Sequence, residues 1–364
     1  MKARLACTLA IGLALAACTG PEPAPVGPRL TATEGRAFLL RVIPTSAGDR
    51  AGWATDLFAA FGALDVPVTP ETLCGAVAVI EQESGFHADP AVPNLPAIAW
   101  KEIERQREKL GIPQLLLDAA LALPSSDGRS YRARIDAAKT EHDLSNAYED
   151  MIDRVPLGRR LLADRNPVRT AGPMQVSVAF AQAHAERKPY PYPVKKTIRE
   201  ELFSRRGGVY FGVAHLFDYP APYKDTIFRF ADFNAGHYAS RNAALQKAIA
   251  ELSGIPLELD GDLIPHDGHE IGTTERAART LGGRVAMTPE EIRHDLDLET
   301  SPGLERSRFW ERVFRMVDAA TGTPAPRAVL PQIRLQGPKI TRPLTTEWFA
   351  KRVAERQRAC IARA

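Results

Sequence analysis

The residue best placed to do acid chemistry in this chain is Glu83. Between Thr69 and Gly85, Leu73, Ala76, Val77 and Ile80 recur at helical spacing, and the next position of that stripe falls at Glu83 and Ser84. An apolar face that ends in a carboxylate desolvates it, and the C-terminal end of a helix dipole is negative; both disfavour the ionised form and raise its pKa. A carboxyl group moved from its ordinary value of about 4.3 towards about 6 to 7 suits protonation of a leaving oxygen at neutral pH. Gly85 supplies a helix stop that sets Glu83 at a cleft edge. Glu81 does not face Glu83 from two residues away and is expected on the solvated surface. On this helix alone, a buried carboxylate held by an arginine or by backbone donors is the simpler explanation of the pattern.

Resemblance extends the argument to three segments. Gln82-Glu83-Ser84-Gly85-Phe86 resembles the Glu-Ser motif of the soluble lytic transglycosylases. Gly172-Pro173-Met174-Gln175-Val176 resembles that family's Gly-Leu-Met-Gln motif, and Phe233-Asn234-Ala235-Gly236 its Tyr-Asn-Ala-Gly motif, in the family's order. Gly208 to Leu216 is similar to the helix that packs behind the family's site. The resemblance implies a mainly α, lysozyme-like fold over roughly residues 70–250, with Glu83 as catalytic acid/base. It implies substrate contacts from Ser84, Met174, Gln175, Phe233, Asn234 and Tyr238, although Met174 suits a core better by type. Gln175 and Asn234 would hydrogen-bond sugar amides and hydroxyls; a purely structural capping role for both stays open. Pro173 stands where the family has Leu, and Phe233 where it has Tyr, so a hydroxyl is missing that Tyr238 or Tyr210 would have to replace. Glu83 and Gln175 lie far apart for this family, which marks residues 95–168 as a helical insertion beside the cleft.

The reaction implied is non-hydrolytic cleavage of the MurNAc–GlcNAc bond of peptidoglycan, leaving a 1,6-anhydro ring. Two-carboxylate glycosidases place their acids about 5 to 9.5 Å apart. Here Asp89 and Asp232 are the only candidates for a second, and a single acid with the substrate's N-acetyl group suffices for the transglycosylase route. A hydrolytic muramidase and an inactive peptidoglycan-binding protein are the other readings. No cofactor or metal is expected: His266 and His269 lie in a glycine-containing loop without metal-ligand spacing, and no phosphate loop is present.

The elements that must position these residues read as helices: 33–41, 52–64, 69–85, 97–110, 113–122, 131–162, 176–187, 196–217, 228–234 and 240–252. Few strands alternate convincingly. The organisation expected is a lysozyme-like domain over 31–253 and a helical C-terminal extension over 254–364. In the extension, helices are expected over 273–281, from Thr288 with Glu291 as a capping box, and over 345–362.

Composition and the N-terminus set the compartment. With 45% hydrophobic and 25% charged residues the chain is globular, and 47 basic against 44 acidic side chains leave no basic block for nucleic acid. Lys2 and Arg4 precede an apolar run, Leu5 to Ala17, in the order of a secretory signal and too short to span a bilayer. Leu15-Ala16-Ala17-Cys18 resembles a lipobox, which implies a signal over 1–17, a lipid on Cys18 and, with Thr19 following, the periplasmic side of the outer membrane. A proline-rich tether, 18–30, would hold the body off that membrane. Cys74 and Cys360 then remain, and an oxidising compartment suggests a bridge worth on the order of 4 to 5 kcal/mol, two buried free thiols being the alternative.

Overall fold

The computed structural model describes residues 29–155, 157–266, 270–335 and 342–364. The expected signal, Cys18, most of the tether and His269 lie outside the described residues. The chain is mainly α, and among the described residues no helix is long and apolar enough to cross a membrane.

Helices α1 (Ala32–Val42), α2 (Arg50–Ala63) and α3 (Pro70–Glu83) open the fold. Threonine starts two of them: Thr31 and Thr69 each accept from the third helical residue, and Pro70 fits the first turn of α3, where no amide partner is needed. The insertion carries α4 (Leu95–Lys109), α5 (Gln114–Ala122), α6 (Tyr131–Asp136), α7 (Glu141–Asp153) and α8 (Gly158–Leu162). The continuous helix expected over 131–162 is broken because Thr140 and Asp143 form a fresh capping box.

A two-residue hairpin follows, Thr170–Ala171 against Val176–Ser177, with Thr170 opposite Ser177. Then come α9 (Val178–Arg187), α10 (Ile198–Leu202), α11 (Arg205–Phe217), α12 (Thr226–Ala235) and α13 (Ala239–Ser253). Ser204 caps α11 by accepting from Gly207, which splits the helix expected over 196–217. The last elements are α14 (Thr273–Thr280), α15 (Gly282–Val285), α16 (Pro289–Leu296), α17 (Arg308–Thr321) and α18 (Thr346–Ala362). The capping box of Thr288 and Glu291 is present. Helix α17 was not anticipated, although Phe309, Trp310, Val313, Phe314 and Val317 line one buried face.

Three apolar clusters organise these helices. The main one gathers α1, α2, α3, the hairpin, α9, α11, α12 and α18. A second is built from α13 with α14 to α17, and a small third one sits inside the insertion around Leu121, Tyr131 and Ile135. The expected division at residue 254 is therefore not the division of the core. Helix α13 belongs to the second cluster over Ala244 to Ile249, and α18 returns to the first through Phe349, Ala350, Val353 and Ala354. The bridge between Cys74 and Cys360 is formed, with Cα atoms 5.6 Å apart, and fastens α18 to α3 across 286 residues of chain.

Candidate active site

Glu83 is the last residue of α3 and is half-buried, whereas Leu73 and every residue from Gly75 to Ile80 are enclosed. Ser84 closes the helix: its N–H and its hydroxyl both donate to the Ile80 carbonyl, the latter over 3.1 Å. Gly85 and then Phe86 take positive φ, 57° and 66°, so the chain turns away within two residues. Phe86 is buried edge-on against Trp53 with ring centroids 5.3 Å apart, and the Arg205 guanidinium lies 5.6 Å from that same Trp53 ring. Glu81 is not on an open surface: its carboxylate is gripped by Arg356 of α18, with Arg363 3.6 Å away. Those partners come from α18, 275 and more residues along the chain, which the i,i+2 spacing alone could not specify.

The second segment forms the tip of the hairpin. Gly172 and Gln175 both have positive φ, 76° and 51°, and Met174 is wholly buried between them and α11. A Cβ at Gly208 would overlap Pro173, and one at Gly212 would overlap Met174, so the two glycines let the tip lie directly on the helix. Met174 is thus a support beneath the tip and not a surface that substrate meets. The Gln175 amide is engaged within its own turn, Nε2 donating to the Gly172 carbonyl at 3.2 Å and Oε1 accepting from the Thr170 hydroxyl at 3.2 Å.

The third segment ends α12. Phe233 is buried against His215 of α11, rings 4.9 Å apart, and its carbonyl accepts from His215 Nε2 at 3.2 Å. Asn234 is exposed, and its Oδ1 accepts from the Thr346 hydroxyl at 2.9 Å. Tyr238 is buried, starts α13 and lies under the Arg241 guanidinium at 4.2 Å. Tyr210 is enclosed by His184, Tyr190 and Phe211.

One stripe of α11 collects all three segments. Arg205, Gly208, Gly212 and His215 recur at spacings of three and four. Along them stand Trp53 with Phe86, then Pro173, then Met174, then Phe233. From Arg205 to His215 is ten residues, about 15 Å of helix. The arrangement is a row with Phe86, three residues after Glu83, at one end and Phe233, one residue before Asn234, at the other.

Neither candidate second carboxylate is available. Asp232 is wholly buried, with both oxygens engaged by the hydroxyls of Tyr219 and Tyr223 and by the amides of Tyr238 and Ser240. Burial pushes its pKa up, against the pull of those donors, and it serves to cap the start of α13. Asp89 lies 3.7 Å from His142 of the insertion, and the other ring nitrogen of His142 is 3.1 Å from Glu200. Burial opposes a charge on His142, yet the two carboxylates outweigh it and raise the imidazole pKa; Phe203 stacks on the ring at 4.3 Å. With the backbone bond from Val92 to Lys139, this clamp fastens the insertion to the loop leaving α3. His266 is exposed, within 3.4 Å of Asp262 and 3.5 Å of Glu299.

Sequence reasoning missed His142, Glu200, Thr346 and Arg356, because each acts on a partner 50 or more residues away with no local pattern. A family model described as a protein of unknown function (DUF1615) matches residues 46–363. A protein of Escherichia coli strain K12 described as uncharacterized protein YaiW is 46% identical over 349 residues, covering 96% of this chain and 95% of that one. No solved structure matches.

Proposed function

The chain belongs to the DUF1615 family, and we propose that it is a peptidoglycan lytic transglycosylase of lysozyme-like design, held by a lipid on Cys18 at the periplasmic side of the outer membrane. The observation that carries this reading is the half-buried Glu83 at the end of an enclosed apolar helix, beside a row of motif segments along α11. Glu83 donates its proton to the glycosidic oxygen as the bond from MurNAc C1 breaks. The N-acetyl oxygen of that sugar stabilises the cation that develops. The carboxylate then takes the proton of the MurNAc 6-hydroxyl, whose oxygen closes on C1, so no water is consumed. With Asp232 and Asp89 both committed elsewhere, a one-carboxylate route fits better than a hydrolytic pair.

The test is purified protein acting on isolated sacculi, with product masses read out. Anhydro ends, lighter by one water than hydrolytic ends, are expected, and Glu83→Gln should cut release by at least about 100-fold. Reducing ends instead would move the assignment to a muramidase. A second reading, a peptidoglycan-binding protein without activity, is favoured by Phe233 and by the Gln175 amide being engaged within its own turn. Equal and nil release by wild type and Glu83→Gln, with sacculus binding kept, would establish it.

A further inference from the structure

Helix α18 lies outside the span of the family resemblance, yet it grips the site segments at both ends of the row. At its start the wholly buried Thr346 gives its hydroxyl to Asn234 Oδ1, while its own N–H is bonded to the Ile333 carbonyl over 3.0 Å, which fixes the donor in place. Ten residues later Arg356 donates from Nε to Gln82 Oε1 at 3.1 Å and from Nη1 to Glu81. These are the two residues immediately before Glu83. One residue beyond Arg356, Gln357 joins α3 to α12: its Nε2 donates to the Glu71 carbonyl at 2.8 Å, and its Oε1 accepts from the Thr226 hydroxyl at 2.9 Å. The disulfide from Cys360 to Cys74 locks the same helix pair.

From this we infer that α18 is the positioning element of the site, Arg356 aiming Glu83 and Thr346 setting what Asn234 offers to sugar. A primary amide has the same outline with its oxygen and nitrogen exchanged, so only a neighbour decides which end faces a ligand. The Thr346 hydroxyl occupies Oδ1 and leaves Nδ2 of an exposed residue as the group for the substrate. A donor there matches a carbonyl acceptor, and the N-acetyl oxygen is the carbonyl that every sugar of the strand carries. Arg356 acts by geometry. Its planar fork reaches two side chains on the last turn of α3 from two separate nitrogens, a fixed geometry that the single nitrogen of a lysine does not reproduce. The inference rests on the glycan-cleaving reading above.

The experiment compares Thr346→Val, Thr346→Ser, Arg356→Met and Arg356→Lys in steady-state glycan release, alongside thermal melts. Thr346→Val, similar in shape but without the hydroxyl, should raise KM about fivefold with kcat within about twofold, the size of one lost hydrogen bond to substrate. Thr346→Ser should restore the wild-type KM. Arg356→Met should lower kcat by about tenfold or more at unchanged KM, with Arg356→Lys failing to rescue, because misaiming an acid costs the chemical step and not binding. Equal KM and kcat for wild type, Thr346→Val and Arg356→Met would overturn the inference, as would equal damage from the Val and Ser variants. Should Thr346→Val not fold, Asn234→Asp, which lacks the donor, must show the same KM rise, and a normal KM there overturns the inference. A wild type that releases no glycan defeats the enzymatic reading alone. The inference is then read from binding of an N-acetylglucosamine tetramer, which Thr346→Val should weaken about fivefold while Thr346→Ser does not; unchanged binding sinks it.

Discussion

The site-bearing body and the insertion are held together by different physics. In the body, Leu39, Leu57, Leu73, Phe211 and Phe230 are wholly enclosed, and a disulfide joins the third helix to the last. The insertion gathers only a small cluster around Leu121, Tyr131 and Ile135, and leaves Leu110, Leu115, Leu116, Leu123 and Leu157 exposed, Leu115 at 79%. Its surface is laced with pairs such as Arg105 with Glu102 and Arg132 with Asp118. Exposed pairs of this kind each contribute about 0 to 1 kcal/mol, whereas a buried leucine contributes about 2. The body is therefore the rigid frame, and the insertion is a lightly stabilised unit fastened to it at the His142 clamp. The histidines sharpen the contrast. Burial depresses the pKa of His215 to about 3, with His237 stacked on it 4.7 Å away and itself lowered by burial, whereas the His142 pKa is raised. Body and joint should lose stability in opposite directions of pH.

The largest effect expected is on the body alone. Cys74→Ser with Cys360→Ser, or reduction of the bridge, should lower unfolding free energy by about 5 kcal/mol in the chain-entropy account of so long a loop. Denaturant melts measure it, and hydrogen exchange should find α5 and α6 unchanged. Equal loss of protection in the insertion would show that the two regions fold as one unit and end the comparison.

Next in size is the acid limb. His215 stays neutral in the fold while the unfolded chain takes a proton near its ordinary value of about 6.5, so stability is present above that pH and is lost as pH falls towards about 3. The loss by pH 4 is on the order of a few kcal/mol for so buried a ring. His215→Gln keeps a donor for the Phe233 carbonyl without the titration, so its urea midpoint should fall less than that of wild type between pH 7 and 4. Parallel curves would assign acid unfolding to other groups.

How much of this was legible in the sequence follows from what is local. Some helix starts were, as at Thr69 and at Thr288, where Glu291 three residues on completes a capping box. The end of α3 at Glu83 was, because an apolar stripe and Gly85 sit within one short window. The break at Thr140 was missed because the segments on either side of it read as one helical run. Asp232 could be suspected only as a helix-end residue, since its partners Tyr219 and Tyr223 come from the preceding loop and its amides from the following helix. The disulfide was reached by counting, but the second role of α18 was not: Thr346 to Asn234 spans 112 residues, and nothing near either residue encodes the other.

The smallest effect tests the joint itself. A raised imidazole pKa means that the proton on His142 stabilises the docked state fully below the unfolded value near 6.5, and that this contribution is lost as pH rises through the folded value. Side chains about a quarter to a third exposed keep part of their screening, so about 1 kcal/mol is the scale. His142→Gln should therefore speed amide exchange in α7 at pH 6, after correction for intrinsic rates, and by less at pH 8.5, further along the loss of charge from the wild-type ring. Exchange in α3 and α11 should be the same in both proteins at both pH values. If the variant instead loses protection equally at pH 6 and 8.5, the ring works by packing on Phe203 and not by its charge. The insertion would then be held to the cleft by the same apolar contact as the body, and the contrast drawn between the two regions would fail at the point where they meet.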